Sequence, residues 1–153
     1  MNTSSSLEVL VTFAISFYDT PHLQQVMPIL LTYCRESLEY SSDVMCFFEE
    51  MFTLFEETPT LQALMQSFSA EYLKILIVEC CVSDADDEVV ATRSKLRSGL
   101  CSVKEMCNDY FNILTTALLQ YKDNPRVIES VCFLWEAVDT LPSQLSHISI
   151  HRP

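Results

Sequence analysis

The sequence predicts an all-α fold, built as a short α-solenoid of about six or seven helices in antiparallel pairs. The chain has one glycine in 153 residues, which disfavours hairpins and phosphate-binding loops. One phrase also occurs twice, as VMCFFEEMFTLFEETP at 44–59 and VIESVCFLWEAVDTLP at 127–142. The two copies share apolar positions at i, i+1, i+4, i+7, i+8 and i+11, which form one face of an α-helix. A helix that recurs at about twice a 40-residue period is typical of solenoid sequences.

The first predicted helix covers residues 5–19. It can be aligned with the first copy of the repeat, and apolar residues then coincide; the pairs are Leu7 with Val44, Val11 with Phe48, and Ala14 with Met51. Five further helical stretches are separated by prolines or polar turns, and they cover residues 22–39, 43–57, 61–82, 100–121 and 125–140.

Three boundary signals support these helices. Pro28 lies inside one helical stretch, where the missing amide donor predicts a kink or a break. Ser41–Ser42–Asp43 supplies an N-cap for the helix at 43–57. Pro125 stands at the first position of the last helix, where proline is favoured.

The segment 83–98, SDADDEVVATRSKLRS, differs from the rest of the chain. Its acidic residues precede its basic residues, an order that suits the helix dipole. We therefore expect a short polar helix over 86–97, although a charged surface loop fits nearly as well. A copy of the repeat is expected near this segment, so the repeat is degenerate here.

The helices are expected to form a single helical-repeat domain at 1–142, followed by a flexible polar tail at 143–153. The first helix is apolar on nearly all sides, whereas the terminal helix of a solenoid normally has a polar outer face. We therefore expect the domain to be part of a longer solenoid. On this interpretation the N-terminal helix packs on a missing repeat or on a protein partner.

The net charge of −12 limits the class of partner. Phosphate backbones and anionic membrane surfaces both attract basic proteins, so neither direct nucleic-acid binding nor membrane binding is expected. A protein partner with a basic segment is the natural complement. No stretch has the roughly 20 apolar residues of a membrane span. The seven cysteines include no CxxC pair and are interpreted as core thiols in a reducing compartment, so we predict an intracellular protein, cytoplasmic or nuclear.

Catalytic and cofactor-binding patterns are scarce. The three histidines stand at the start of a helix or in the tail, at His22, His147 and His151. A metal site needs closely spaced ligands, and the cysteines lack that spacing. The sequence therefore predicts a protein without enzymatic activity and without a cofactor.

The best-defined copy of the repeat carries a family resemblance. Residues Lys122–Pro142 read KDNPRVIESVCFLWEAVDTLP, with an Asp-Asn-Pro turn, a valine two residues on, and an apolar face that ends in Leu-Trp and a small residue. This segment, and to a lesser degree Ser41–Pro59, resembles the armadillo and HEAT families of helical repeats. The resemblance implies an α-solenoid scaffold whose second helices line a concave binding face. The polar segment 83–98 departs from the family pattern.

The repeated helix also carries the candidate binding residues. Glu50, Thr53 and Glu57 lie on one solvent-facing side of the first copy, and Glu129 and Glu136 occupy neighbouring positions in the second. We hypothesise that these five residues contact a basic or amphipathic segment of a partner, although an ordinary solvated face has the same pattern. Trp135 aligns with Phe52 and is predicted to be buried.

A second architecture fits the same helices. A compact helical bundle would pack the first helix against the last and would bind a partner helix in a hydrophobic groove. On that interpretation the protein is a regulator and not a scaffold. The contacts between helices distinguish the two.

Overall fold

The computed structural model describes residues 3–16, 20–81 and 87–139, and these ranges contain helices and no strand. The predicted all-α class is therefore confirmed. The helices are α1 (Thr3–Ser16), α2 (Thr20–Glu36), α3 (Leu38–Phe55), α4 (Pro59–Glu79), α5 (Asp87–Arg97), α6 (Leu100–Met106), α7 (Tyr110–Gln120) and α8 (Pro125–Val138). The predicted tail, two of the three histidines and the acidic start of the segment 83–98 lie outside the described residues.

Two predicted helix boundaries differ from the structure. The N-cap of α3 is Ser37, whose hydroxyl accepts a hydrogen bond from the Glu39 amide at 3.2 Å, so the cap predicted at Ser41–Ser42–Asp43 is wrong. Ser41 instead lies buried inside the helix and donates its hydroxyl to the Cys34 carbonyl at 3.3 Å. Pro28 does not break its helix, because α2 continues through it.

The helix predicted over 100–121 is two helices, which is why eight helices are described instead of six or seven. The chain leaves the helical conformation at Cys107, where φ is −111° and ψ is 103°. The last helix begins as predicted. Pro125 is its first residue, and the Asn124 side chain accepts hydrogen bonds from the Arg126 and Val127 amides at 3.1 and 3.4 Å.

The helices pack in two neighbouring series around one hydrophobic core. In the first series α1 packs against α3, α3 against α6, and α6 against α8; in the second α2 packs against α4, and α4 against α7. The two series meet through the pairs α1–α2, α2–α3, α3–α4, α4–α6, α4–α8 and α7–α8. The polar helix α5 packs against α3 and α6. This arrangement leaves each series with an outward side.

Aromatic packing joins α3 to α4. The Phe48 ring stacks on Phe68 with centroids 5.1 Å apart and contacts Tyr72 with centroids 4.4 Å apart. The Tyr72 hydroxyl donates to the Ser41 carbonyl at 2.6 Å. Burial raises the pKa of Tyr72 well above its ordinary value, so the phenol stays neutral and keeps the proton that it donates.

Similar hydrogen bonds anchor α8. The Tyr110 hydroxyl of α7 donates to the Leu134 carbonyl at 2.6 Å, and the Ser130 hydroxyl donates to the Ile77 carbonyl of α4 at 2.8 Å. Both of the donating side chains, Tyr110 and Ser130, are buried. Because a buried polar group must be paired, these bonds fix the position of α8 against α4 and α7.

The repeated phrase marks core positions in three helices. The residues at i, i+4 and i+7 are buried in each copy; they are Leu7, Val11 and Ala14 in α1, Val44, Phe48 and Met51 in α3, and Val127, Val131 and Leu134 in α8. The position at i+8 lies outside the core. Phe52 is half-buried there, and Trp135 is 37% exposed, so the prediction that Trp135 is buried is wrong.

The single glycine lies where α3 approaches the turn between α5 and α6. A Cβ atom at Gly99 would overlap the Met45 side chain and would lie 2.9 Å from the Glu49 carboxylate oxygen Oε1. The φ of Gly99 is −90°, which any residue adopts. Close approach of α3, and not backbone conformation, therefore requires glycine at this position.

Candidate protein-binding surfaces

The first half of the predicted site begins on the outward side of α3 and ends in the turn that follows the helix. Glu50, Thr53 and Glu57 are all exposed, and together they are called the α3 stripe. Phe48 faces α4 from the opposite side of the helix, so Glu50 and Thr53 point away from the second helix series; Glu57 lies just beyond the C-cap Glu56. The Thr53 hydroxyl donates its proton to the Glu50 carbonyl at 2.7 Å, which leaves its oxygen free to act as a hydrogen-bond acceptor.

The α3 stripe is strongly acidic. Glu49 and Glu56 are exposed beside it, and α3 contains no lysine or arginine. No ion pair joins Glu50 or Glu57 to another residue in the described part of the chain. Unpaired like charges on one helix repel each other and attract cations from solution. The stripe therefore offers carboxylates that no described neighbour neutralises.

The second half of the predicted site lies on α8, and its two glutamates differ. Glu136 is exposed and has no ion-pair partner among the residues described. Glu129 accepts hydrogen bonds from Arg93 at both of its oxygens, at 2.6 and 2.7 Å. The Arg93 guanidinium holds the pKa of the Glu129 carboxyl below its ordinary value. Glu129 is therefore occupied within the chain.

Arg93 is the centre of a polar contact that the sequence did not indicate. Only 9% of this residue is exposed, and its guanidinium lies 4.7 Å from the centre of the Phe133 ring. It also donates to the Cys80 carbonyl at the end of α4. Arg93 thus joins α5 to both α4 and α8. Its partner Glu129 stands 36 residues away, and periodicity within a helix gives no signal for such a pair.

The five predicted residues lie in two parts of the structure. Glu50 and Thr53 lie on α3, Glu57 lies in the turn after it, and Glu129 and Glu136 lie on α8. The helix α6 packs against both α3 and α8. The acidic residues therefore fall into two groups, the α3 stripe and the surface around Glu136. The second is also the smaller, because Arg93 engages Glu129.

A groove between α4 and α7 was not predicted. Its volume is about 370 Å³, and its apolar lining includes Ile77, Val78 and Ile113. Lys74 and Asp109 supply charges within the same lining. This groove could not be predicted, because the single helix predicted at 100–121 obscured the start of α7 and no sequence pattern places α7 beside α4.

The cysteines are all free thiols. Cys34, Cys80 and Cys107 are buried, as expected for core thiols, whereas Cys46, Cys101 and Cys132 are exposed. Burial raises the pKa of Cys34 and of Cys80 to about 12, so neither forms a thiolate nucleophile near neutral pH. Within the described ranges, no group of three or more His, Cys, Asp or Glu side chains is placed to hold a metal ion.

The chain matches no protein-family model, and comparisons with curated proteins and with solved structures also gave no match. The resemblance to helical repeats of the armadillo and HEAT families stays a prediction. None of the helices described here combines the length and the apolar character needed to cross a membrane.

Proposed function

We propose that this chain is a non-enzymatic protein-interaction module whose α3 stripe binds a basic or amphipathic segment of a protein partner. One observation carries the proposal: the exposed carboxylates of Glu50 and Glu57 have no ion-pair partner among the described residues. Glu50 lies on α3 and Glu57 in the turn just past its end, so the two carboxylates follow each other along the C-terminal part of the helix. Lysines or arginines of a partner segment complement this stripe.

The electrostatic character of the stripe predicts how it binds. Exposed ion pairs add modest affinity but accelerate association and select the partner, and salt screens them. Thr53 adds a hydrogen-bond acceptor between the two carboxylates. Glu136 extends the acidic surface on α8, whereas Glu129 contributes only if a partner displaces Arg93.

The scaffold that presents the stripe is proposed to be an α-solenoid of the HEAT or armadillo type. The series α1–α3–α6–α8 supports this, because helices stacked in order are typical of solenoids. The buried spacing of i, i+4 and i+7 also recurs at the junction of α5 and α6, in Leu96, Leu100 and Val103. The same buried spacing therefore occurs within α1, α3 and α8 and across the junction of α5 and α6.

The alternative is a compact helical bundle that regulates a partner by binding its helix in a hydrophobic groove. The groove between α4 and α7 favours this alternative. The contacts of the terminal helices favour the solenoid, since α1 packs against α2 and α3, and α8 packs against α4, α6 and α7. A short cross-linker that joins α1 to α8 in the intact chain would select the bundle.

An intracellular setting suits the free thiols. All seven cysteines are unpaired, which is typical of reducing compartments. We therefore place the protein in the cytoplasm or the nucleus, where many basic protein segments are available, and assign it no cofactor. Fractionation of cells that express the tagged chain tests the location.

The proposed stripe is tested with a fluorescent peptide of alternating lysine and serine, titrated against the intact chain by anisotropy. We expect the double variant Glu50→Lys/Glu57→Lys to weaken binding by about tenfold, because two attractive contacts become repulsive. The matched control is Glu36→Lys/Asp123→Lys, which changes the net charge equally at exposed residues outside α3 that have no ion-pair partner among the described residues. Equal weakening by both double variants would show attraction to net charge alone and would refute the stripe.

A further inference from the structure

A second interaction surface lies on the outward side of the α2–α4–α7 series. Val78 is 57% exposed and lies between two depressions of about 370 Å³ each. One depression lies between α4 and α7, and the other is lined by residues of α2 and α4. Both include Lys74 and Val78, so the two depressions adjoin each other along α4.

The length and chemistry of the groove suit a helix. Its lining on α7 extends from Asp109 to Tyr121, which corresponds to about 18 Å, or three helical turns. Ile77, Val78 and Ile113 supply the apolar part. An amphipathic helix fills such a groove with apolar side chains at i, i+3 or i+4, and i+7.

The charged residues around this surface determine which sign of charge a partner needs. Lys74 is paired with Glu71 at 3.3 Å and is thereby neutralised. Asp109 and Glu79, which line the two depressions, have no ion-pair partner among the described residues. Partial burial raises the pKa of Glu79, so a nearby cation would relieve an unfavourable environment. Arg35, which lines the second depression, also has no ion-pair partner among the described residues. The two linings together therefore carry two basic residues and three acidic ones, an excess of one negative charge, and the net charge of the whole chain is also negative.

We propose that the surface centred on Val78, between α4 and α7, docks an amphipathic helix of a partner protein, with apolar residues in the groove and basic residues at its rim. This site is separate from the α3 stripe. Phe48 and Tyr72 face each other across the core, so the outward sides of α3 and α4 lie on opposite sides of the molecule. A partner can therefore occupy one surface while the other stays free.

The test uses a fluorescent 15-residue peptide of leucine and lysine, with leucines at i, i+3, i+4, i+7 and onward. The control peptide has the same composition, with its leucines moved so that no helical face is apolar. The variant is Val78→Asp and its matched control is Val90→Asp on α5, where the valine is 53% exposed. Both variants add one negative charge, which alone favours a basic peptide. Any loss of affinity specific to Val78→Asp therefore reports the lost apolar contact.

We expect the amphipathic peptide to bind the wild-type chain and Val90→Asp with similar affinity and Val78→Asp at least about tenfold more weakly, as for a central interface residue. The stripe variant Glu50→Lys/Glu57→Lys should bind this peptide nearly normally, because its site lies on the opposite side. The control peptide should bind the wild-type chain weakly.

Three outcomes overturn the proposal. The first is equal binding of the two peptides, or no binding of either, since the apolar groove would then have no role. The second is loss of binding in the stripe variant with retention in Val78→Asp, which would place the peptide on α3 and support the proposed function alone. The third is self-association of the wild-type chain in sedimentation experiments that Val78→Asp abolishes, since the occupant would then be a second copy. Thermal melts confirm that each variant is folded.

Discussion

At the scale of single residues, the contact between Arg93 and Glu129 separates two roles that glutamates have on this surface. Both oxygens of Glu129 are bound by one guanidinium, which also contacts the end of α4 and the Phe133 ring. Glu50 and Glu57 have no such partner among the described residues. Glu129 therefore stabilises the fold, and the glutamates of α3 are available for binding.

Glu129→Gln is expected to lower the free energy of unfolding by about 1–2 kcal/mol at neutral pH, because Arg93 loses its charged acceptor. The loss is moderate because the Glu129 side chain is 54% exposed and water replaces part of the contact. Since folding lowers the pKa of Glu129, its contribution is complete above the ordinary carboxyl value of 4.5 and disappears as the pH falls through the lowered value. Urea titrations of the wild type and of Glu129→Gln at several pH values should show that the difference in their free energies of unfolding decreases as the pH falls. A difference that persists at low pH would contradict this assignment.

Gly99→Ala tests the close approach of α3 to the turn between α5 and α6. The added methyl group overlaps the Met45 side chain, so Met45 must leave its place in the core. We expect a loss of about 1–3 kcal/mol, which is typical of overpacking. Alanine at Ser98, an exposed neighbour in the same turn, is the control and should change the midpoint little. A thermal melt in which Gly99→Ala is as stable as the wild type would show that the contact is looser than described.

At the scale of helices, periodicity predicted which side of a helix is buried and failed to predict which helix it meets. The shared spacing correctly marked Val44 and Val127 as core positions. The same spacing also placed Trp135 in the core. Spacing within one helix does not show that α8 has neighbouring helices on one side and solvent on the other. Trp135 instead contacts Phe111 of α7, with ring centroids 4.6 Å apart, and stays partly exposed.

Trp135 and its neighbour Leu134 provide a matched pair on α8. Leu134→Ala should cost about 2–5 kcal/mol, because its side chain is fully buried. Trp135→Ala should cost less despite its larger side chain, since part of the ring already contacts water. Chemical denaturation of the two variants gives the comparison, and acrylamide should quench the fluorescence of this single tryptophan in the folded wild type. A larger loss for Trp135→Ala would contradict the exposed position.

The break between α6 and α7 illustrates a different limit. The apolar run at 100–121 has helical spacing throughout, so the sequence predicted one helix. The structure turns at Cys107, and Tyr110 then donates its hydrogen bond to α8. Long-range packing of this kind overrides local pattern. The same turn places α7 beside α4 and forms the groove, which is why the groove could not be predicted.

At the scale of the whole molecule, the two helix series present two chemically different outward surfaces. The α3 stripe is acidic and lacks basic neighbours in its helix, whereas the surface around Val78 combines apolar residues with few charges. The sequence predicted the helical class and the residues of the stripe. It did not predict that Arg93 engages Glu129 or that α6 packs against both of the helices that carry the predicted residues. Those facts depend on the order in which helices stack.

The most direct test of the proposed function is quantitative capture of partners from a cell lysate by the immobilised intact chain. Three proteins are compared by mass spectrometry: the wild type, Glu50→Lys/Glu57→Lys, and the control Glu36→Lys/Asp123→Lys. We predict a set of proteins with basic segments that the wild type and the control retain and the stripe variant loses. If the stripe variant, confirmed to be folded, retains every protein that the control retains, the α3 stripe is not the binding surface.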